Sequence, residues 1–299
     1  MTKFAQQRSK KKNILKETMN NLNSIHVHTT YSDGSNQAYE YIEEAIRLGM
    51  TAIGISDHSP VPVENDWGMQ LEDLAAYIEE IEYLKKSYKK HIDVYLGLEL
   101  DYIRGMDVKE YIDFNNLGLD YYIGAIHYIY SPNLREYLTV DNTKEEVDKL
   151  VVQGFASPKS FYTEYYQSVR EMIKEYRPML IAHLDVLEKR NYNKSLFDSD
   201  SLDYINEVEK TLDVIEHSLV EVNTGGWANG LMCLYPSFNI LKSLKKRKIG
   251  LSINSDCHRI TKLNLGYDRA LEEIKKVGYE EVYNFHKGKM ERIKISDLK

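Results

Sequence analysis

Two histidines alternate with apolar residues in the segment Ser24–Thr29, which the sequence predicts to be the first strand. Because side chains on a strand alternate between its two faces, His26 and His28 point the same way while Ile25 and Val27 point the other way. Two imidazoles on one face can bind the same metal ion. The alternative is an exposed strand with two incidental histidines, and this segment alone leaves both interpretations open.

Similar chemistry recurs where other predicted strands end. More histidines and carboxylates lie at these ends or in the loops just after them: Asp33, His58, Glu99, His127, His183, Asp256 and His258. Any single histidine could be a hydrogen-bonded structural residue, but six buried imidazoles in one cluster would be difficult to satisfy without metal. The set therefore predicts a metal centre, whereas His91, His217 and His286 lie outside the pattern.

The elements that must position these residues alternate between strands and helices. Helices are predicted over 36–48, 71–88, 108–116, 161–176, 202–217, 238–248 and 267–277, with short buried strands between them. This alternation predicts seven parallel βα units and favours a closed (β/α) barrel over an open doubly wound sheet. In such barrels the carboxyl ends of the strands form one rim, so we expect the candidate ligands to meet there.

The domain organisation is simple. Since no linker divides the chain, a single domain is predicted over residues 23–299, preceded by a basic arm at residues 1–22. Residues 131–158 are polar and lack apolar periodicity, and they are predicted to form the longest irregular loop. Irregular loops of that length are often functional. After a last strand at 281–285, only a polar tail is expected.

The composition is that of an acidic protein with enough apolar residues for a large core. Of the 299 residues, 42% are hydrophobic and 28% are charged, and the net charge of −7 argues against a nucleic-acid surface. The sequence contains no run of about 18 apolar residues, so no membrane span is predicted. The basic N-terminal segment is not followed by the apolar stretch of a secretory signal. With only two cysteines, Cys233 and Cys257, the sequence does not predict a disulfide framework. A reducing cytoplasm is therefore the expected location.

The ligand types narrow the choice of metal. Imidazole and carboxylate without thiolate suit zinc, iron or manganese, whereas a structural zinc site is typically closed and rich in cysteine. Nine candidate ligands exceed the needs of one ion or of two well-hydrated ions, so we expect three divalent metal ions. A carboxylate such as Glu99 can bridge two of them. Cys257 lies between Asp256 and His258 and should face away from both, toward the packed interior.

Several segments together resemble one known family. The matching motifs are His26-Val27-His28-Thr29 with Ser32-Asp33-Gly34, Asp57-His58-Ser59-Pro60, Gly97–Asp101, Gly124–Tyr128, Ala182–Asp185 and Asn254–His258. Over roughly residues 24–290 the chain resembles the PHP (polymerase and histidinol phosphatase) superfamily. Ser59-Pro60, His183-Leu184-Asp185 and the segment Glu221–Gly226 with Tyr235-Pro236 are similar to its monofunctional histidinol-phosphate phosphatase branch. The resemblance implies an α/β fold, namely a distorted (β/α)7 TIM-like barrel with a trinuclear metal centre.

The resemblance also implies how the ligands divide among three ions. The groups are His26, His28, Glu99 and Asp256 for the first ion, His127 and His183 with a bridging Glu99 for the second, and Asp33, His58 and His258 for the third. Asp33 stands where some relatives carry a histidine. Relatives often carry an arginine soon after the glycine of the Asn223–Gly226 segment, where this chain has Trp227-Ala228-Asn229.

On this resemblance, the expected reaction is hydrolysis of L-histidinol phosphate to L-histidinol and phosphate, a step of histidine biosynthesis. A hydroxide held between two metal ions would attack phosphorus in line. Lys189 is the candidate phosphate clamp and Arg190 the second candidate, although both could be solvated loop charges. Asp33 and His258 are candidates to protonate or stabilise the leaving alkoxide.

The partners of the substrate's amine and imidazole and the identity of the substrate stay open at this point. Glu64, Asp66, Trp67 or the segment 131–158 could contact the amine and imidazole. The chain could instead be a PHP phosphoesterase for another small phosphate ester or for phosphotyrosine on a protein. A metal-binding PHP module without turnover is the alternative from a different class. A small phosphate monoester is the expected partner, with no role for nucleic acid or membrane.

Overall fold

Parallel strands connected by helices form the centre of the fold in a computed structural model that describes residues 22–228, 230–231 and 233–298. The strands are β1 (Ala52–Ile55), β2 (Asp93–Leu96), β3 (Glu99–Asp101), β4 (Ile123–Ala125), β5 (Tyr128–Ser131), β6 (Glu136–Thr139), β7 (Leu180–Ile181), β8 (Leu219–Asn223), β9 (Leu251–Asn254), β10 (Glu281–His286) and β11 (Lys289–Lys294). The α-helices are α1 (Ala38–Leu48), α2 (Leu74–Tyr88), α3 (Val108–Tyr111), α4 (Lys144–Gln153), α5 (Pro158–Tyr176), α6 (Leu202–Leu212), α7 (Gly225–Ala228), α8 (Phe238–Lys246) and α9 (Tyr267–Val277).

The strand pairings run in a circuit. Seven strands pair in the order β11-β10-β9-β8-β7-β4-β3, parallel except for the β10–β11 hairpin, and β1 pairs with β2 in parallel. Residues 24–28 connect the two sheets, because Ser24 bridges Ile53 of β1 and Val27 bridges Cys257 just after β9. His58, just after β1, bridges Glu99 of β3, so the pairing returns to where it started, which is consistent with the predicted (β/α)7 barrel.

The predicted first strand is not a continuous strand. Within Ser24–Thr29 the structure contains two isolated bridges rather than a regular ladder. The reason is that side chains accept hydrogen bonds from every second backbone N–H group of this segment: Asn254 Oδ1 at 2.9 Å, Ser56 Oγ at 3.2 Å and Asp57 Oδ1 at 2.7 Å. The segment is nevertheless extended and buried, so its alternate side chains still point to opposite faces.

The first helix shows how the sequence pattern sets the packing. In α1 the apolar residues at helical spacing, Ala38, Tyr41, Ile42 and Ala45, are all buried. Gly49 ends the helix in the left-handed conformation with φ of 81°, which a glycine adopts without steric cost. The helix therefore packs its apolar face on the sheet and turns the chain directly into β1.

The segment 131–158 is ordered, so its prediction as an irregular loop is wrong. It contains most of the antiparallel β5–β6 hairpin, followed by α4. The Thr143 side chain accepts a hydrogen bond from the N–H of Glu146 and so caps α4, which buries Val147 and Leu150. The polar composition concealed this helix because only one narrow face is apolar.

The predicted polar tail is also wrong, since the chain turns back after β10 and continues as β11. Lys287 and Gly288 form the tight turn between these strands with φ values of 49° and 75°. β11 lies at the edge of the sheet and is largely accessible, so its side chains show little apolar alternation. Ile295 and Leu298 then return to the core.

The predicted basic arm lies outside the described residues, apart from Leu22, which is buried. Among the helices that the structure describes, none combines the length and the apolar character needed to cross a bilayer.

Candidate metal centre

The nine predicted ligands lie together where the parallel strands end. Four imidazole rings form a chain of near neighbours, with centroid separations of 4.3 Å from His258 to His28, 4.2 Å from His28 to His58 and 5.1 Å from His58 to His127. His183 lies 5.0 Å beyond His127. Residues that are far apart along the chain therefore share one small volume.

Glu99 lies at the centre of this cluster and is fully buried at the start of β3. Its Oε2 atom is 2.9 Å from His58 Nδ1, 3.2 Å from His26 Nε2 and 3.5 Å from His28 Nε2. One oxygen of a single carboxylate therefore faces three imidazoles.

The second oxygen of Glu99 faces a different pair of histidines. Oε1 is 3.0 Å from His183 Nε2 and 3.9 Å from His127 Nε2. The other ring nitrogen of His127 is paired with Asp101 Oδ1 at 2.9 Å, which fixes the ring and directs Nε2 toward Glu99. With its two oxygens facing separate histidine groups, Glu99 has the placement that a bridging carboxylate requires.

Asp256 adds a carboxylate on the side of the first two histidines. Its Oδ1 atom is 3.2 Å from His28 Nε2 and 3.6 Å from His26 Nε2. Possible ligand atoms of these three residues all lie within 4.8 Å of one another. This is the first-ion group of the sequence analysis, with Glu99 beside it.

Asp33 extends the cluster toward the outside. Its Oδ1 atom is 3.1 Å from His258 Nε2, 3.7 Å from His58 Nε2 and 4.0 Å from His28 Nδ1. The structure thus brings together the three residues expected around the third ion and adds His28 to them.

The donor set fits divalent cations. Several buried ligand atoms have no hydrogen-bond partner: His26 Nε2, His28 Nδ1, His28 Nε2, His58 Nδ1 and Glu99 Oε2. Leaving a buried polar atom unsatisfied costs about 1–3 kcal/mol, and more for a charged group. Cations held among these atoms would satisfy them together, since imidazole nitrogen and carboxylate oxygen are ligands of borderline divalent metals.

The electrostatics hold two of the ligands, Glu99 and His28, in the forms that bind metal, whereas nearby carboxylates outweigh burial and raise the pKa of His26, that of His127 to about 10 and that of His258 to about 9. Burial alone would raise the pKa of the Glu99 carboxyl, but His26 and the other imidazoles outweigh burial and hold that pKa well below its usual range. Burial, followed by the neighbouring His58 and His258, lowers the pKa of His28 to about 3. Near neutral pH, Glu99 is therefore ionised and His28 is neutral.

Glu221 holds two of the histidines in place from behind. Its Oε1 atom is 2.7 Å from His26 Nδ1, and its Oε2 atom accepts a hydrogen bond from the backbone N–H of His183 at 3.0 Å. Asn223 donates to the same Oε2 at 2.8 Å and to Asp256 at 3.1 Å. Sequence reasoning used Glu221 only as part of a family motif, although its place near the end of β8 was a signal for a role at the rim.

Asp57 positions the turn that carries Asp33. This fully buried carboxylate accepts hydrogen bonds from the N–H of Thr29 at 2.7 Å and from the hydroxyls of Thr29 and Ser32 at 2.9 and 2.6 Å. Burial raises the pKa of Asp57. The sequence analysis did not single it out, although it directly precedes His58.

A cavity of about 190 Å³ opens above the cluster, and we call it the metal cavity. Ligands that line it are Asp33, His58, His127, His183, Asp256 and His258, whereas His26, His28 and Glu99 lie beneath. Asp66 and Trp67 also line it, and the Trp67 ring lies edge-on to His58 at 4.5 Å. Glu64 is exposed and does not line this cavity.

The two candidate phosphate contacts have different positions. Lys189 lines the metal cavity, and its Nζ atom is 2.7 Å from Asp141, which lies between β6 and α4. Arg190 does not line that cavity. Its Nε atom donates to the backbone carbonyls of Asn142 at 2.6 Å and Asp141 at 3.2 Å. Of the two, Lys189 is the one placed to contact a ligand above the cluster.

Comparison with known proteins points to one family. The family model described as "PHP domain" matches residues 24–225, which is more than half of the chain. The histidinol-phosphatase of Bacillus subtilis (strain 168) is 29% identical over 269 residues, a match that covers 83% of this chain and 97% of that protein. The probable histidinol-phosphatase of Deinococcus radiodurans is 27% identical over 270 residues, covering 87% and 95%.

Solved structures share the fold. The putative histidinol phosphatase of Listeria monocytogenes has a TM-score of 0.74 at 18% identity, and the match covers 83% of this chain and 99% of that one. The histidinol phosphate phosphatase of Lactococcus lactis, solved with zinc, L-histidinol and phosphate, has a TM-score of 0.65 at 19% identity. That match covers 90% of this chain and 98% of the other.

The first prediction concerns the central carboxylate. Glu99→Gln should lower the bound metal at least tenfold, because a neutral amide cannot compensate the charge of cations shared among five imidazoles. Metal content of the purified protein, measured by inductively coupled plasma mass spectrometry, checks this, with circular dichroism to show that the variant folds. His217→Ala, on the surface with its side chain 81% exposed, is the control. Wild-type metal content in a folded Glu99→Gln variant would contradict the ligand assignment.

The second prediction concerns the carboxylate behind the histidines. Glu221→Gln should weaken metal binding about 10- to 100-fold, the range typical for partners of ligating histidines, because His26 and His183 lose a fixed acceptor. Competition with a chromogenic chelator measures the affinity. Glu216→Gln changes an exposed carboxylate and should leave the affinity unchanged. Equal affinities in the two variants would show that Glu221 does not position the ligands.

Proposed function

This chain belongs to the PHP domain family, and we propose that it hydrolyses L-histidinol phosphate to L-histidinol and inorganic phosphate with the help of bound divalent metal ions. The observation that carries the proposal is the cluster of nine imidazole and carboxylate side chains, six of them buried, in which several buried atoms without hydrogen-bond partners lie beneath an open cavity. Such a site suits a reaction that depends on positioning and on neutralising phosphate charge.

The substrate assignment is supported by the relatives. The Bacillus subtilis and Deinococcus radiodurans proteins are named for this activity, and their matches to this chain extend over nearly their whole lengths. The Lactococcus lactis protein of the same fold was solved with the products L-histidinol and phosphate. The metal-centre geometry also favours a phosphate ester. A phosphate needs clustered positive charge, and in a protein whose net charge is −7 cations bound by the cluster would supply it.

We assign three divalent ions to the cluster, with zinc favoured because the Lactococcus lactis protein binds it. The ligands are those of the sequence analysis, with Glu99 shared between the first and second ions. In the structure His28 lies close to both the first and third groups, and Asp101 lies beside His58 and His127 as a further possible ligand. When bound, such ions supply Lewis acidity: they lower the pKa of a water molecule and stabilise negative charge on phosphate oxygens.

The chain's own residues would divide the remaining work. Lys189 at the edge of the metal cavity would contact the phosphate, and its pairing with Asp141 fixes the ammonium group in position. Asp33 and His258 are the most exposed ligands, with about a third of each side chain accessible. Of the two, His258 is placed to transfer a proton to the leaving alkoxide, whereas Asp33 stays ionised, because its contact with His258 and the neighbouring histidines outweighs burial and holds the pKa of Asp33 well below its usual range. Trp67 covers His58 and limits the access of water from that side.

The third prediction concerns the substrate and the metal. Against a panel of phosphate monoesters, kcat/KM should be highest for L-histidinol phosphate, and phosphotyrosine peptides should be poor substrates. Dialysis against a chelator should abolish turnover, and added Zn²⁺ or Mn²⁺ should restore it. A higher kcat/KM for another ester would overturn the substrate assignment. A metal-loaded protein inactive on every ester would favour the non-catalytic alternative.

The fourth prediction separates the two basic residues. Lys189→Ala should raise KM for the phosphate ester about tenfold or more with little change in metal content, because the ammonium group would contact the phosphate rather than a metal ion. Arg190→Ala is the matched control and should change KM less than threefold, since the guanidinium binds loop carbonyls. Steady-state kinetics with metal analysis measure both. An unchanged KM in Lys189→Ala would remove it as the phosphate contact.

A further inference from the structure

One wall of the metal cavity comes from outside the parallel strands. The end of the β5–β6 hairpin and the chain after it contribute three residues to the lining, and we call them the hairpin wall: Thr139, Asp141 and Asn142. The hairpin is tied directly to a metal ligand, because the backbone N–H of Val140 donates to the carbonyl of His127 at 2.9 Å. The hairpin wall therefore has a fixed place beside the cluster.

Thr139 is the unusual member of the hairpin wall. Only 5% of the residue is exposed, and its buried Oγ1 atom has no hydrogen-bond partner. Apart from the metal ligands, no other described residue of the cavity lining has a buried side-chain atom in this state. Since a buried hydroxyl without a partner is costly, the unsatisfied atom of a cavity-lining side chain points to a ligand.

The backbone of Thr139 is held on both sides. In the hairpin Thr139 pairs with Tyr128, and its backbone N–H donates to Oε1 of Glu146 in α4 at 2.9 Å. The N–H group is therefore already used. The side-chain hydroxyl is the donor that this residue can offer to a ligand in the cavity.

The other two residues of the hairpin wall are less available to a ligand. Asp141 Oδ2 is 2.7 Å from Lys189 Nζ, so these two charges largely compensate each other. Asn142 is exposed, and its side chain donates to Oε2 of Glu146 at 3.2 Å. A neutral hydroxyl beside the Asp141–Lys189 pair would add a hydrogen bond to an anion without adding another charge.

The contents expected in the metal cavity supply a matching acceptor. A tetrahedral phosphate group cannot direct all of its oxygens at the cluster beneath it, so at least one of them faces a wall. A hydroxyl that donates to an ionised oxygen forms a shorter and stronger hydrogen bond than one between neutral groups. The unsatisfied Oγ1 atom of Thr139 is therefore suited to a phosphate oxygen.

We propose that the Thr139 hydroxyl donates a hydrogen bond to a phosphate oxygen of the bound ester, which makes Thr139 a further substrate-binding residue. The inference rests on the proposed function, because it assumes that the phosphate group lies in the metal cavity. It differs from the sequence expectation, which considered the segment 131–158 only for contacts with the amine and imidazole of the substrate.

The test removes the hydroxyl and retains the shape of the side chain. In the metal-loaded protein, calorimetric titration measures the dissociation constant of inorganic phosphate. Thr139→Val should weaken binding about tenfold, because it loses a hydrogen bond to a charged group. Thr139→Ser retains the hydroxyl and should stay within threefold of wild type. Thr139→Ala also lacks the hydroxyl, should weaken binding about tenfold, and takes the place of Thr139→Val if that variant does not fold.

Tyr137→Phe is the matched control. It removes a hydroxyl from the same strand, but that hydroxyl donates to the carbonyl of Arg104 at 3.1 Å, and Tyr137 does not line the metal cavity. Phosphate binding should change less than twofold, and every variant should retain the metal content of wild type. Equal phosphate binding by wild type and Thr139→Val would overturn the inference. An equal loss in Tyr137→Phe, a loss that Thr139→Ser does not restore, or a loss of metal in Thr139→Val would also overturn it, because each indicates a structural role.

Kinetics separate this inference from the proposed function. With L-histidinol phosphate, Thr139→Val should raise KM about tenfold and change kcat less than threefold, as expected for a contact made equally in the ground state and the transition state. A lower kcat at unchanged KM would overturn the binding role. If the wild-type protein hydrolyses no phosphate ester, the proposed activity fails, and the phosphate titration alone decides. Tenfold weaker binding in Thr139→Val then supports the inference, whereas equal binding, or no phosphate binding by wild type, overturns it.

Discussion

The structure depends on a carboxylate that water does not reach. Glu99 is fully buried, ionised and surrounded by five imidazoles, and neither of its oxygens faces solvent. Protonated histidines could compensate one such charge, but they would leave other ring nitrogens buried without hydrogen-bond partners. Cations shared among these atoms satisfy them together. The arrangement of the rim follows from this requirement, because each strand end must deliver its side chain to one place.

Around the ligands, a layer of buried carboxylates fixes their orientation. Glu221 holds His26 and the backbone of His183, Asp101 holds His127, and Asp57 holds the turn that carries Asp33. None of the three lines the metal cavity, although Asp101 keeps one oxygen without a hydrogen-bond partner close to His58 and His127. These two roles explain why so many acidic groups are buried in one region. Some would compensate the positive charge of bound cations, and the others hold the ligands in fixed orientations.

Much of this site could be predicted because its residues follow strand ends, and parallel strands bring such residues to one rim regardless of their separation in the sequence. The helices with broad apolar faces, such as α1 and α9, were predicted for the same kind of local reason. The apolar pattern of the sequence missed α4 and β11, whose apolar faces are narrow or absent. It also missed Asp141, which lies in the loop between β6 and α4.

The candidate metal centre can serve phosphate-ester hydrolysis only if the cluster around Glu99 holds cations. Anomalous X-ray diffraction from crystals grown with Zn²⁺ tests that most directly. We expect separate anomalous peaks on the two sides of Glu99, one near each carboxylate oxygen, and a further peak beside Asp33 and His258. An absence of peaks around Glu99 in crystals with saturating Zn²⁺ would contradict the account.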